Sequence, residues 1–187
     1  MKICIDPGHH VSVKGKRSPQ VPPGIVEWEF DMSVAMCLEA LLIDAGHEVF
    51  RTMQISEPEN KALSTRRAMA NKADLFVSVH ANAASESGWS SANGFVVFHR
   101  VLGESLAVSI AASYKKSIPE IRSRFGGIKD GSRLGVIPSG IPAVLIECGF
   151  MTNRTEAAFL ADPLNQQRIA RAIADGVIGY LERKKSK

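Results

Sequence analysis

The chain has 187 residues, 45% of them hydrophobic and 22% charged, the profile of one globular domain with a core of its own. Its longest apolar runs, such as Ala143 to Ile146 and Leu75 to Val77, fall far short of the roughly 20 residues that a transmembrane helix needs. A net charge of +4 and a pI of 9.1 suit approach to a polyanion but select none, and with 6% aromatics and no accompanying motif, nucleic-acid binding is not expected.

The opening MKICIDPGHH passes from a short apolar run straight into Asp6, Pro7 and Gly8 and reads as carrying no signal peptide. Three cysteines, Cys4, Cys37 and Cys148, stand singly, without the spacing of a thiolate zinc site or a disulfide framework. Synthesis in a reducing compartment, the cytoplasm, is therefore expected.

In chain order the pattern alternates strand and helix. Lys2 to Ile5 reads as a buried strand stopped by Asp6, Pro7 and Gly8. Val11 to Gly24, with Pro19, Pro22 and Pro23, reads as loop. From Glu27, the residues Phe30, Val34, Leu38, Leu41 and Leu42 recur at helical spacing until Gly46. Glu48 to Thr52 is a second strand, Asn60 to Lys72 a basic helix, and Leu75 to His80 a nearly continuous apolar strand, as expected for one covered on both faces. Gly94 to His99 reads as a strand and Leu102 to Ser117 as a helix, whereas Phe125 to Gly140, with five glycines, reads as loop with at most a short strand. Ala143 to Cys148 is a further buried strand. Asn153 and Glu156 resemble a capping box, and Leu164 to Arg183 closes the chain as a helix whose basic tail, Arg183, Lys184, Lys185 and Lys187, is a solvated end. This alternation predicts a single α/β domain with a central, twisted, mostly parallel sheet and helices on both faces.

In open α/β sheets the site lies beyond the carboxyl ends of the strands. There the sequence places His9 or His10, His80 and Glu147, with Glu27 at the start of the first long helix. Two imidazoles and one carboxylate are a hydrolytic zinc set that leaves a fourth position for water. A further carboxylate, Glu147, is available to take a proton from that water and pass it to a leaving amine. Taken singly, each histidine reads as a hydrogen-bonded structural residue and Glu27 as a first-turn acid. Glu147 resists that reading, because a carboxylate directly after Val144, Leu145 and Ile146 is costly to desolvate without a partner or a task.

The segments IDPGHH, ADLFVSVHANA and LGVIPSGIPAVLIECGFMTN, with the Glu-led helix and the closing helix, together resemble the zinc-dependent N-acetylmuramoyl-L-alanine amidases of type 3. The resemblance runs in order from Lys2 to about Leu181. It implies zinc held by His9, Glu27 and His80, with Glu147 catalytic, and it decides for His9 over His10 and for Glu27 over Glu29. Asn82 and Arg133 are read as weaker candidates for positioning substrate, and His10, where the family commonly has Gly, is expected at the solvent or substrate rim.

Activity is implied on the amide between the lactyl group of N-acetylmuramic acid and L-alanine, by a monomer without stable membrane association. The whole of residues 1–187 is read as the catalytic domain. A non-catalytic wall-binding module, or a hydrolase of a bond within the stem peptide, are the alternatives. Lys16 and Arg17, in a GKRSP loop associated with phage-like members, read equally as a solvated loop or as contacts for stem-peptide carboxylates. Only 66 residues separate His80 from Glu147, too few for an inserted autoinhibitory helix, so an open enzyme limited by access to the wall is expected, either a lysin released by membrane permeabilisation or the catalytic domain of a longer protein.

Overall fold

The computed structural model describes residues 1–22, 24–85 and 88–186; Pro23 and Lys187 lie outside the described residues. Six strands form one sheet: β1 (Lys2–Pro7), β2 (Glu48–Arg51), β3 (Leu75–Asn82), β4 (Phe95–His99), β5 (Ser123–Asp130) and β6 (Ala143–Phe150). Their order across the sheet is β2-β1-β3-β6-β4-β5. The first four of that order run parallel, β4 is antiparallel to β6, and β5 is parallel to β4.

Helices α1 (Glu27–Asp44), α3 (Glu104–Ser117) and α5 (Pro163–Lys185) cover one face, burying Phe30, Val34, Leu38, Ile110, Tyr114 and Ile173 against alternate strand residues such as Ile3, Val77 and Ile146. Helix α2 (Leu63–Ala70) and residues 131–142 cover the other, where Cys4, Phe76 and Leu145 pack with Ala70, Val136 and Ile137. Helices thus lie on both faces, as expected, but unevenly. The parallel strands β1, β3 and β6, buried on both sides, are the near-continuous apolar runs.

Local signals explain the boundaries. After α1 the chain turns at Gly46 with φ +83°, and the amide of His47 donates to the carbonyl of Leu42 (3.1 Å). Helix α4 (Arg154–Ala161) is capped by Asn153, whose side chain accepts from the amides of Thr155 and Glu156. The other half of the expected box is not made, because Glu156 turns inward and accepts from the amides of Gly94 (2.6 Å) and Phe150 (2.7 Å).

Two expectations are corrected. The helix read over Asn60 to Lys72 is limited to Leu63–Ala70. The glycine-rich stretch read mainly as loop contributes an eight-residue strand, Ser123–Asp130. It is an edge strand, so it needs only one ladder of backbone hydrogen bonds, and the register shift between Phe95 and Val97 accommodates Gly126 and Gly127. Among the described residues no helix is long and apolar enough to cross a membrane. The three cysteines are free, Cys4 and Cys148 being buried.

Helices α3 and α5 approach closely at Gly176, where a Cβ would stand 2.5 Å from Ile110 Cα. A methyl group there meets backbone, which cannot rotate away. Gly176→Ala is therefore expected to destabilise the protein by about 1–3 kcal/mol despite alanine's better helix propensity, as checked by denaturant unfolding.

Candidate active site

The site forms beyond the carboxyl ends of β1, β3 and β6. At the end of β1 the chain turns through Gly8 into His9, which has φ +51°, a left-handed conformation uncommon outside glycine. Gly8 allows a close approach: a Cβ there would lie 2.4 Å from His80 Cε1 and 2.5 Å from an Asp31 carboxylate oxygen.

The turn is held by Arg66 of α2, which is buried. Its guanidinium donates to Asp6 Oδ1 (3.0 Å), to the carbonyl of Pro7 (2.6 Å), to the carbonyl of His9 and to Asn60 Oδ1 (2.6 Å). Asp6, also buried, accepts in addition from the hydroxyls of Thr52 and Ser78, the latter at 2.7 Å. Every strong acceptor of this buried pair is thus engaged, which is what a desolvated ion pair requires.

His80 stands near the end of β3, in register with Glu147 on β6, so both side chains leave the same face of the sheet. Glu27 opens α1 and points inward, while Glu29 faces solvent. One carboxylate oxygen of Glu27 lies 3.3 Å from His9 Nε2 and 3.2 Å from His80 Nδ1. The two imidazole rings meet edge to face, 5.0 Å between centroids. One donor atom from each of His9, Glu27 and His80 lies within 4.8 Å of the others, so the three are a group that could hold a metal ion.

The electrostatics fit a cation. Burial pushes the Glu27 carboxyl up, but hydrogen bonds from His80 and His9, with their charges, outweigh it and bring it down to about 2. The other oxygen of Glu27 is buried without a hydrogen-bond partner. Burial works against a charged His80, yet Glu27, Glu147 and Asp6 raise its pKa. A metal ion would satisfy the same carboxylate, and two imidazoles with one carboxylate are a suitable donor set. Burial lifts Glu147 to about 7, with Glu27 adding to the rise and His80 and Lys16 opposing it; one of its oxygens has no partner.

A cavity of about 190 Å³ opens on this face, walled by Asp6, His9, Arg66, His80, Gly135 and Val136 among others. A larger one of about 810 Å³ lies between α3 and α5 on the opposite face and holds none of these groups.

Of the remaining expected residues, Asn82 sits half-buried at the end of β3, two residues beyond His80. Arg133 is exposed, beside the cavity-lining Leu134. His10 is a correction. It is 4% exposed, with Nδ1 hydrogen-bonded to the Ser12 hydroxyl (2.8 Å) and Nε2 to the carbonyl of Glu57 (3.1 Å), and its ring packs on Trp28. Both ring nitrogens are committed, so the residue anchors the loop and does not line the rim. Lys16, in the GKRSP loop, is half-buried and close enough to influence Glu147.

Sequence reasoning missed three residues. Asp6 carries the same signal as Glu147, an acid directly after an apolar strand, and Arg66 is its partner. Asp31, one helical turn after Glu27, is fully buried with neither oxygen hydrogen-bonded; burial, reinforced by the charges of Glu27, Glu147 and Asp6, pushes its pKa well up.

Taken together, a mostly parallel α/β sheet, a three-donor group at its carboxyl edge and a half-buried acid near neutrality beside it define a hydrolase-type site. The sequence profile of the N-acetylmuramoyl-L-alanine amidases matches residues 3–179, and the chain belongs to this family of type-3 amidases. The probable cell wall amidase LytH of Staphylococcus epidermidis is 32% identical over 180 residues, covering 95% of this chain; the chain spans 57% of that relative's length. Among solved structures, the N-acetylmuramoyl-L-alanine amidase AmiC2 of Nostoc punctiforme superimposes with a TM-score of 0.86 at 26% identity, over 98% of each chain. The catalytic domain of the amidase CwlV from Bacillus (Paenibacillus) polymyxa does so with 0.83 at 30% identity, over 97% of this chain and 98% of that domain.

Proposed function

We propose that this chain cleaves the amide between the lactyl group of N-acetylmuramic acid and the L-alanine that begins the peptidoglycan stem peptide. In this reading residues 1–187 are the catalytic domain, a monomer acting on the cell wall without stable membrane association, and the metal is zinc held by His9, Glu27 and His80. The observation that carries it is the meeting of these three donor atoms within 4.8 Å, beside Glu147, in a chain of the amidase family. Two imidazoles and a carboxylate suit zinc.

When bound, the ion would supply a Lewis acid toward the scissile carbonyl and make water a better nucleophile near neutral pH. The chain's residues do the rest. Glu147 accepts a proton from the attacking water on the carboxylate oxygen that has no other partner. It then delivers that proton to the nitrogen of L-alanine, so the amine leaves neutral and Glu147 returns to its starting state. A pKa of about 7 suits both halves of this transfer, because neither the charged nor the neutral form is far out of reach at working pH. Asp6 and Arg66 keep the His9 turn in its left-handed conformation, and Asn82 and Arg133 orient the substrate.

The test is mass spectrometry of soluble products after incubation with intact peptidoglycan, with and without chelator and with zinc added back. Free stem peptides beginning with L-alanine, lost on chelation and restored by zinc, are expected. Fragments cut within the stem peptide would identify a different amide, and walls bound but uncut at full metal occupancy would make the chain a recognition module.

A further inference from the structure

We propose that Arg124, Phe125 and Lys129, on the edge strand β5, form a docking site for a free carboxylate of the substrate's stem peptide. The inference rests on the amidase reading above and concerns residues outside the metal-donor group.

The placement comes from the sheet. On β6, Leu145 belongs to the second core, and Glu147, two residues on, leaves the same face. Glu147 is opposite Val96 of β4. On the far side of β4 the register with β5 jumps from Phe95↔Ser123 to Val97↔Ile128, so residues 124–127 bulge out at the level of Val96. Lys129 Nζ lies over the ring of Phe98, which packs against that second core, so the bulge shares its face with Glu147. Two strand spacings separate Glu147 from β5, about 10 Å.

The bulge has three successive residues in left-handed conformation: Phe125 at φ +51°, Gly126 at +72° and Gly127 at +102°. For a residue as bulky as Phe this is a genuine outlier, and strained backbone of this kind clusters at functional sites. Phe125 is 58% exposed. Two cations rest on its ring, the Arg124 guanidinium at 5.2 Å from the centroid and the Lys129 ammonium at 4.4 Å. Arg124 also lies 4.8 Å from the Phe150 ring, at the end of β6.

These cations are held by aromatic faces and not by acids. Among the described residues no ion pair engages Arg124 or Lys129. Of the described carboxylates nearby, Glu156 feels the charge of Arg124 but spends its oxygens on the amides of Gly94 and Phe150, and Asp130 accepts from the amide and hydroxyl of Ser132. Two positive charges are thus aligned beside the candidate active centre, and among the described residues no carboxylate forms an ion pair with either. An extended peptide advances about 3.3–3.6 Å per residue, so a span of about 10 Å brings the third residue beyond L-alanine to the bulge when L-alanine is at Glu147. Peptide carboxylates in that stretch match the charge and the reach.

The test compares two soluble substrates, a muramoyl stem peptide with free carboxylates and the same peptide with its carboxylates amidated, using the zinc-loaded full chain. Arg124→Gln combined with Lys129→Gln is expected to raise KM for the free-acid substrate by about five- to tenfold, the size of two partly exposed ion pairs, with kcat unchanged. KM for the amidated substrate should not move. Phe125→Gly, which removes the ring while relieving the left-handed strain, is expected to raise KM for the free-acid substrate without lowering the thermal midpoint, so the effect cannot be ascribed to unfolding.

An equal rise on both substrates, or no rise on either, would overturn the proposal. Weaker retention on whole walls with unchanged KM on both soluble substrates would place a phosphate-bearing polymer at the bulge and overturn it as well. If the wild-type chain cleaves neither substrate, the amidase reading fails on its own. Calorimetric titration of the stem peptide alone then still decides the site, binding lost in the double variant supporting it and identical binding refuting it.

Discussion

Glu147→Ala is expected to lower kcat/KM for the muramoyl amide by about 10²–10⁴-fold while metal content stays at that of the wild type. That loss corresponds to about 2.7–5.5 kcal/mol of transition-state stabilisation, the scale of one positioned acid–base group. The carboxyl is lifted to about 7 by burial and one of its oxygens has no partner, so in the resting protein it is a cost. Removing it should leave the thermal midpoint unchanged or slightly higher. Stability held or gained together with activity lost is the signature of a group placed for chemistry. Metal content and thermal melting, measured beside steady-state kinetics, check the outcome. Loss of metal in this variant would make Glu147 a ligand and overturn the division of roles.

His80→Ala should behave differently. It removes one of the three donors whose atoms lie within 4.8 Å of each other, and the carboxylate of Glu27 loses a hydrogen-bond partner at 3.2 Å. Metal affinity should fall by more than about 100-fold, beyond the effect usual for residues that only orient a ligand, and activity should fall with it. The Glu27 carboxyl, held at about 2 partly by His80, should rise toward the ordinary carboxylate range. Competition against a chromogenic chelator measures the affinity directly, without reference to turnover. Wild-type affinity in the variant would remove His80 from the donor set. The pair of variants is informative together, since only the assigned roles give activity loss with metal in one and without it in the other.

The legible part of this site followed from short-range pattern. His80 and Glu147 each end a run of apolar strand residues, and a polar group there is conspicuous in a single sequence. The strands and helices were equally visible, because alternation and helical periodicity are properties of neighbours, and Asn153 announced α4 through its side chain. The edge strand β5 was less so. Its glycines and exposed residues carry no alternation, and it exists because β4 offers it a backbone ladder.

Residue pattern left the choices between adjacent candidates open until the family resemblance made them; folding supplies their physical reason, and it alone decided the pairings across the chain. His9 and His10 are neighbours of identical chemistry, yet the left-handed turn sends one to Glu27 and the other to Ser12 and the carbonyl of Glu57. Arg66 looks like a solvated helix cation until α2 packs on the end of β1, 60 residues away, and buries it against Asp6. Asp31 is an ordinary helix acid in sequence and an unpartnered buried one in the fold. Periodicity records which side of an element is apolar. Desolvation, register and the meeting of charges depend on what folds over a residue from elsewhere, and that is where the donors, the acid and the groups that hold them become one site.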